Sequence, residues 1–517
     1  NNAEFKSYIK VVKVDSETGK TIPYEGAGFE IYNAGGEKIA MTYSYPTPTA
    51  IDVFRTNSEG YLITPEVLPY GEYSLIEVQA PYGYALDKTP VAFSVSSENA
   101  EKENSFTIVK VEKQNTAQKG KISVRKTGDI FTSVNMASSA YTDENGELVV
   151  NPTTYTPVFA DGDLSGAVFQ VIAVEDIVTL DGTTRAYAGD VVSEITTDEN
   201  GYGETEPLYL GKYEVREIKA PYGYVLNNEP KDVELTYAGQ EFEVRDTVNT
   251  AFENEYQSVR ISLSKVMESD ELFGIYGKDC YTSIRFGLFA AEDITAADGS
   301  VIPADGLISE VSLDENMTAK FDVQIPFGRY YVQEIATDEH YVLNGEKYLV
   351  NFEYMGQDIR TVDIDCGQFV NLLKRGRIEG HKVDDKSEPL ENAVFGLFTA
   401  DCVKFSRDTA IMTAASDENG CFEFTDVPFG QYIVREIESP SGYILSDKEY
   451  AVSISEDGEV IEITTENKPI TVEISKRDVY GNELVGAEMV LENADGEKVD
   501  KWTSDGTNHI VSKLGAG

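Results

Sequence analysis

One short pattern recurs four times and starts a fifth time along the 517 residues, and a repeat of this kind restricts the chain to a string of similar units. A turn is followed by Tyr, an aliphatic residue and Glu at alternate positions in YGEYSLIEVQAPYGYAL, LGKYEVREIKAPYGYVL, FGRYYVQEIATDEHYVL and FGQYIVREIESPSGYIL, which supply Glu77, Glu217, Glu334 and Glu436. Upstream lie opening segments with a Lys: YIKVVKVD (Lys13), KISVRKTGD (Lys126), RISLSKVME (Lys265) and RIEGHKVDD (Lys382). TVEISKRD begins a fifth copy with Lys476. Downstream of each Glu a closing segment ends in Asn115, Asn254, Asn371 or Asn467. Eleven positions separate each of the first three Asn from the next Lys, and nine separate Asn467 from Lys476.

Between Lys and Glu come GAGFEIY, GAVFQVI, IRFGLFA, NAVFGLF and GAEMVLE, and turns such as TDENG and SDENG, whose Asn-Gly pair between alternating runs is a hairpin cue. Helical periodicity is rare and short alternating runs dominate, so the chain reads as all-β. It is too long for a single core, since cores stop growing near roughly 250–300 residues. The repeat predicts units at 1–118, 119–257, 258–374 and 375–468, and a truncated fifth at 469–517 that stops at KLGAG before any Glu or Asn. The second unit carries the extra YTDENGELVVNPTTYTPVF and the third DELFGIYGKDCYTS, both read as surface insertions.

Strand side chains alternate faces, so parity indicates where each Lys points. Lys13 shares its face with Ile9 and Val11, Lys126 with Ile122 and Val124, Lys265 with Ile261 and Leu263, and Lys476 with Val472 and Ile474. In the fourth unit the face carries Ile378 and Gly380 before Lys382. Tyr73 and Leu75 precede Glu77 on one face, and the other three Glu residues are placed alike. Each unit is therefore expected to bury one amine and one acid, with Asn as third member. Burial of lone charges costs several kcal/mol, so a recurrent inward Lys and Glu need an explanation. One explanation is an ion pair with Asn as a hydrogen-bond filler. Recurrence of the same trio in the same order across four units favours chemistry instead.

The pattern resembles the Cna-type B domains, also called SpaA-like or prealbumin-like modules, of Gram-positive adhesins and pilins. The resemblance covers essentially the whole chain. It implies tandem Ig-like, prealbumin-like β-sandwich modules forming an elongated, monomeric rod on the bacterial surface or cell wall. It also implies spontaneous amide bonds from Lys13 to Asn115, Lys126 to Asn254, Lys265 to Asn371 and Lys382 to Asn467, promoted by Glu77, Glu217, Glu334 and Glu436. Lys476 is left unpaired. In the family the Glu lies in a YxLxE motif followed by APxGY, which units one and two match; unit four has SPSGY and unit three TDEHY. Burial would lower the Lys pKa toward a nucleophilic amine and raise that of Glu toward a proton donor.

The expected role is a structural stalk and not an enzyme, with a single-turnover self-crosslink and no cofactor. An adhesin fragment that binds host matrix protein or glycan through its insertions, or through loops such as MTYSYPTPTAIDVF, is the alternative. Ninety acidic against 43 basic residues give a formal charge of -47, which opposes binding to nucleic acid or anionic membrane. His340, His381 and His509 fall in three different units, so no His cluster or triad is suggested. No metal site is expected either, because the DENG turns lack the other ligand positions of a calcium loop. Cys280, Cys366, Cys402 and Cys421 are read as thiols, with pairing inside Cys280/Cys366 or Cys402/Cys421 as the alternative. A Cys280–Gln368 thioester, as found in family relatives, lacks matching flanking motifs. No long apolar segment, leader or wall-anchoring tail is apparent, so the sequence reads as a mature or excised piece.

Overall fold

The computed structural model describes residues 4–44, 46–142, 146–277 and 280–515. Tyr45, the Asp143–Glu144–Asn145 stretch of one insertion, Lys278 and Asp279 of the other, and the end of KLGAG lie outside the described residues. Four β-sandwiches share one plan, and no α-helix occurs among the described residues. No helix there is long and apolar enough to cross a membrane.

In the first sandwich the opening strand Lys6–Asp15 lies between the closing strand Phe106–Asn115, which runs parallel to it, and the antiparallel Tyr61–Ile63. A parallel neighbour needs a crossover, and the chain makes it through the second sheet, ordered Phe54–Arg55, Gly28–Asn33, Gly71–Gln79, Val91–Val95. The opening strands Ile122–Ala137, Ser258–Met267 and Arg375–Asp384 pair in the same way with parallel closing strands Val248–Asn254, Thr361–Asn371 and Val460–Asn467. The strands bearing Glu are Gly71–Gln79, Gly211–Lys219, Gly328–Ala336 and Gly430–Glu438, each central in its sheet.

Each sandwich closes over its own core, made by the inward residues of both sheets: Ile9, Val11 and Leu75 in the first, Val124 and Val215 in the second, Leu263 and Val332 in the third, Ile378 and Val434 in the fourth. Gly380 takes an inward position in the fourth because the Phe422 ring occupies the space a side chain would need, a Cβ there falling 2.0 Å from Phe422 Cζ. The hairpin turns are held by their first polar residue. Oδ1 of Asn57, Asp198, Asp314 and Asp417 accepts two backbone N–H groups in each turn.

The two insertions differ from the free surface excursions that the sequence suggests. The first forms a hairpin of Ile122–Ala137 with Thr154–Asp163 whose Phe131, Val134 and Tyr155 pack on the core of the third sandwich. From the second insertion, Phe273 packs on the core of the fourth. Apolar side chains at these positions are covered by the next unit in the chain, which sequence periodicity within one unit cannot reveal. The fifth repeat pairs Thr471–Ile474 with His509–Ser512 and Val485–Glu492 with Lys498–Asp505. Lys476 lies beyond the strand end and is exposed, as is Val472, so its expected inward placement does not hold. Among the described residues these strands form two two-stranded sheets, in which Ser504 and Val511 are the buried side chains.

Candidate functional site: a buried lysine, glutamate and asparagine

All twelve Lys, Glu and Asn side chains of the first four repeats are at most 3% exposed. Register explains how they meet. Lys13 is opposite Lys113 and Asp15 opposite Asn115, so the Asn lies two residues beyond the partner of the Lys and on the same face. The same offset joins Lys126 to Asn254, Lys265 to Asn371 and Lys382 to Asn467. The Glu faces them from the other sheet. It pairs with Phe29, Phe169, Phe286 or Phe395 immediately after a β-bulge, a local irregularity that re-aims the strand.

Lys265 Nζ donates to Asn371 Oδ1 at 2.5 Å and lies 2.8 Å from Glu334 Oε1. Lys382 Nζ donates to Asn467 Oδ1 at 2.5 Å and lies 3.5 Å from Glu436 Oε1. In the first sandwich Lys13 Nζ is 2.9 Å from Glu77 Oε1, a close ionic contact not aligned as a hydrogen bond. In the second, Lys126 Nζ is 4.0 Å from Glu217 Oε1. The Asn amide donates to the Glu carboxyl in every case, at 2.7, 2.9, 2.8 and 2.8 Å from Asn115, Asn254, Asn371 and Asn467. Lys13 and Lys126 Nζ, and Asn115 and Asn254 Oδ1, are buried without a hydrogen-bond partner, which is costly in a folded core.

Burial dominates the electrostatics. Desolvation pulls the Lys13 and Lys126 ammonium groups down to about 8, against the opposing attraction of Glu77 and Glu217. Lys265 and Lys382 are lowered by the same cause. Glu217 is raised by burial, which the Asn227 N–H and Lys126 only partly offset. In the second sandwich Lys126 and Glu217 are therefore biased toward a neutral amine beside a neutral acid.

Three parts of the site went unnoticed in the sequence. The first is a pin on the Lys backbone: the N–H of Lys13, Lys126, Lys265 and Lys382 donates to the carbonyl of Gly60, Gly201, Met317 and Gly420, the last residue of each turn. These positions have left-handed φ (+82°, +65°, +59° and +77°), and a Cβ on Gly201 would fall 2.4 Å from the Lys126 carbonyl oxygen. The second is a clamp on the acid, the backbone N–H of Asp87, Asn227, Asn344 and Ser446 donating to Oε2 ten residues after each Glu. It leaves Oε1 turned toward the Lys. The third is the Phe opposite each Glu: the ammonium groups of Lys13, Lys265 and Lys382 sit 5.5–5.7 Å from the rings of Phe29, Phe286 and Phe395. The repeated Phe in GAGF, GAVF, IRF and NAVF was the available signal for that contact.

In the third sandwich the loop that departs from the motif still serves the site, because Thr337 Oγ1 accepts from Asn371 Nδ2 at 2.8 Å. No disulfide joins the four cysteines, and burial pushes the Cys366 thiol up to about 11. Among the described residues no three His, Cys, Asp or Glu side chains are arranged to hold a metal ion.

Repeated sandwiches with parallel first and last strands define a protein built of prealbumin-like domains. The chain belongs to the SpaA family of prealbumin-like fold domains, whose model matches residues 7–110, 159–249 and 376–469. The third sandwich lies outside the matched residues. The trypsin-resistant surface T6 protein of Streptococcus pyogenes serotype M6 is 28% identical over 94 residues, 18% of this chain and 16% of that protein, so the chain spans only a small part of that relative's length. Among solved structures, the Bacillus anthracis TIE protein is similar at 17% identity over 90% of this chain and 75% of that one, with a TM-score of 0.49. BcpA, the major pilin subunit of Bacillus cereus, matches at 15% identity over 90% of this chain and all of that one (100%), with a TM-score of 0.19.

Proposed function

We propose that this chain is a structural stalk of a Gram-positive cell-surface adhesin or pilin-like protein, divided into modules at 1–118, 119–257, 258–374 and 375–468. Each module is stiffened by an amide between its opening-strand Lys and closing-strand Asn. The observation that carries this reading is the fourfold burial of the same Lys, Glu and Asn at one strand register. In the reaction the neutral Lys Nζ forms a bond to the Asn Cγ while protonated Glu hydrogen-bonds the carboxamide and supports the charge that develops on it. The Asn C–N bond then breaks, the Lys proton passes by way of the Glu to the departing nitrogen, and ammonia leaves. Glu ends in its starting state. Every molecule reacts once per site, so the chemistry is self-modification and not turnover of a substrate.

Intact mass of the purified chain tests this. A deficit of whole ammonia units, up to four, is the expected result, and Glu217→Ala should return one of them. A mass equal to that of the sequence refutes the reading.

A second reading, contact with a host protein or glycan, draws on the tip of the first insertion, where Met136, Leu148 and Val150 are exposed. Saturable binding of the chain on a matrix-protein or glycan array, lost on Leu148→Asp, would favour it over a passive stalk.

A further inference from the structure

The APYGY loop follows the Glu strand in the first two modules, and part of it contacts the next module. Tyr82 packs on Tyr237 of the second module, ring centroids 4.6 Å apart. The Ala80 N–H donates to Gln240 Oε1 at 2.9 Å and the Leu86 N–H to the Gln240 carbonyl at 2.7 Å. Gln118, three residues after Asn115, is 1% exposed and locks the junction. Its N–H donates to the Gly83 carbonyl, its Nε2 donates to the Gly239 and Phe242 carbonyls, and its Oε1 accepts from the Ala238 N–H.

The second junction repeats this bond for bond. Tyr222 packs on Tyr354 at 4.8 Å, and the Ala220 and Leu226 N–H groups donate to Gln357 Oε1 and O at 2.9 Å each. Gln257, again three residues after its Asn, donates to the Gly356 and Ile359 carbonyls and accepts from the Met355 N–H. The receiving turns are Tyr237–Ala238–Gly239–Gln240 and Tyr354–Met355–Gly356–Gln357. The Gly of each takes a left-handed φ, +96° and +102°.

Where one part of this set changes, all change. At the third junction the loop reads TDEHY, Lys374 stands in place of the Gln, and SEDGEV replaces the Tyr-x-Gly-Gln turn. Beside the packing of Phe273 on the fourth core, ion pairs stand there in place of the Gln hydrogen bonds: Arg375 pairs with Glu268 and Asp270 of the third module and Asp426 of the fourth at 2.9, 3.0 and 3.4 Å, and Lys374 lies 3.8 Å from Glu456. We infer that the APYGY loop, the Gln after the closing Asn and the Tyr-x-Gly-Gln turn form a docking code: a module with the first two accepts, at its outgoing end, a module with the third. It joins modules one to three through buried neutral hydrogen bonds, added to ion pairs of Arg185 with Asp15 and Glu17 at the first junction and of Arg360 with Glu255 at the second. The junction before module four lacks those Gln hydrogen bonds and has in their place partly exposed ion pairs, which salt weakens. This inference does not depend on the crosslinks.

Hydrogen exchange on the full-length chain tests it, because the Ala80, Leu86, Ala220 and Leu226 amides are protected only by acceptors of the neighbouring module. Gln118→Ala should speed exchange across residues 80–86 and 237–243 by about tenfold or more, since several buried hydrogen bonds go together. It should leave residues 220–226 unchanged, and Gln257→Ala should do the reverse. Protection of residues 9–12 in the first core serves as the folding control; if a Gln variant fails it, Gln240→Ala, which removes only the acceptor of Ala80, is read in its place. Salt near 1 M, where screening extends only about 3 Å, should loosen the Phe429 amide, which donates to the Lys374 carbonyl across the third junction, more than the Ala80 and Ala220 amides. Unchanged exchange at both loops in the Gln variants, or equal loosening of all three junctions by salt, overturns the code.

Discussion

Asn371→Ala should turn a module that does not extend under load into one that unfolds in a single step. The opening strand Ser258–Met267 and closing strand Thr361–Asn371 are parallel neighbours in register, so pulling on the chain ends loads them in shear. A bond from Lys265 to Asn371 carries the load directly between them and shields the residues it spans. Those two residues are 106 positions apart. At roughly 3.3–3.6 Å per extended residue, removing the bond releases about 350–380 Å of contour length. Thermal resistance should fall as well, because closing a loop of about 100 residues is worth roughly 4–5 kcal/mol by the analogous disulfide argument. Single-molecule pulling on the full chain reads both: the variant should show one new step of that length, with the other crosslinked modules silent. If the unmodified chain already gives a step of this size for each sandwich, the shielding argument is wrong and the lysines are structural ion pairs.

Crosslinking of the second module should follow a bell-shaped pH profile. The ion pair and the neutral pair of Lys126 and Glu217 hold the same number of protons, so the rate stays level between their two apparent pKa values. It should fall above about 8, where the Lys loses the pair's last proton and no acid remains, and below the raised pKa of Glu217, where the amine stays protonated. Mass analysis of chain refolded from the unreacted, unfolded state at each pH checks this; a rate that keeps rising past pH 9 contradicts it. Phe29→Ala should cost about 3–5 kcal/mol in the first module and slow its crosslink by admitting water beside Lys13, seen as a missing ammonia deficit after short maturation. Residues 471–515 should exchange amide hydrogens faster than the fourth sandwich, since Val511 and Ser504 are the buried side chains there. Equal protection would overturn that expectation.

The repeat and the parity of its strands made the architecture and the inward Lys and Glu legible, because both are local properties of spacing. The geometry joining them was not, since register between Lys6–Asp15 and Phe106–Asn115 is a long-range property that no single strand encodes. The bulge before Phe29, the carbonyl of Gly60 pinning Lys13 and the Asp87 N–H on Glu77 are backbone features of the same kind. Lys476 marks the limit of parity: alternation assigns a side to a residue, but only a second sheet makes that side an interior. Phe131 and Phe273 mark another, because their cover comes from the following module.

Peptide mapping of the purified chain by tandem mass spectrometry tests the crosslink proposal most directly. The expected result is four branched peptides joining Lys13 to Asn115, Lys126 to Asn254, Lys265 to Asn371 and Lys382 to Asn467, each lighter by one ammonia, with Lys476 recovered in a linear peptide. Recovery of all eight residues in linear, unmodified peptides would contradict it.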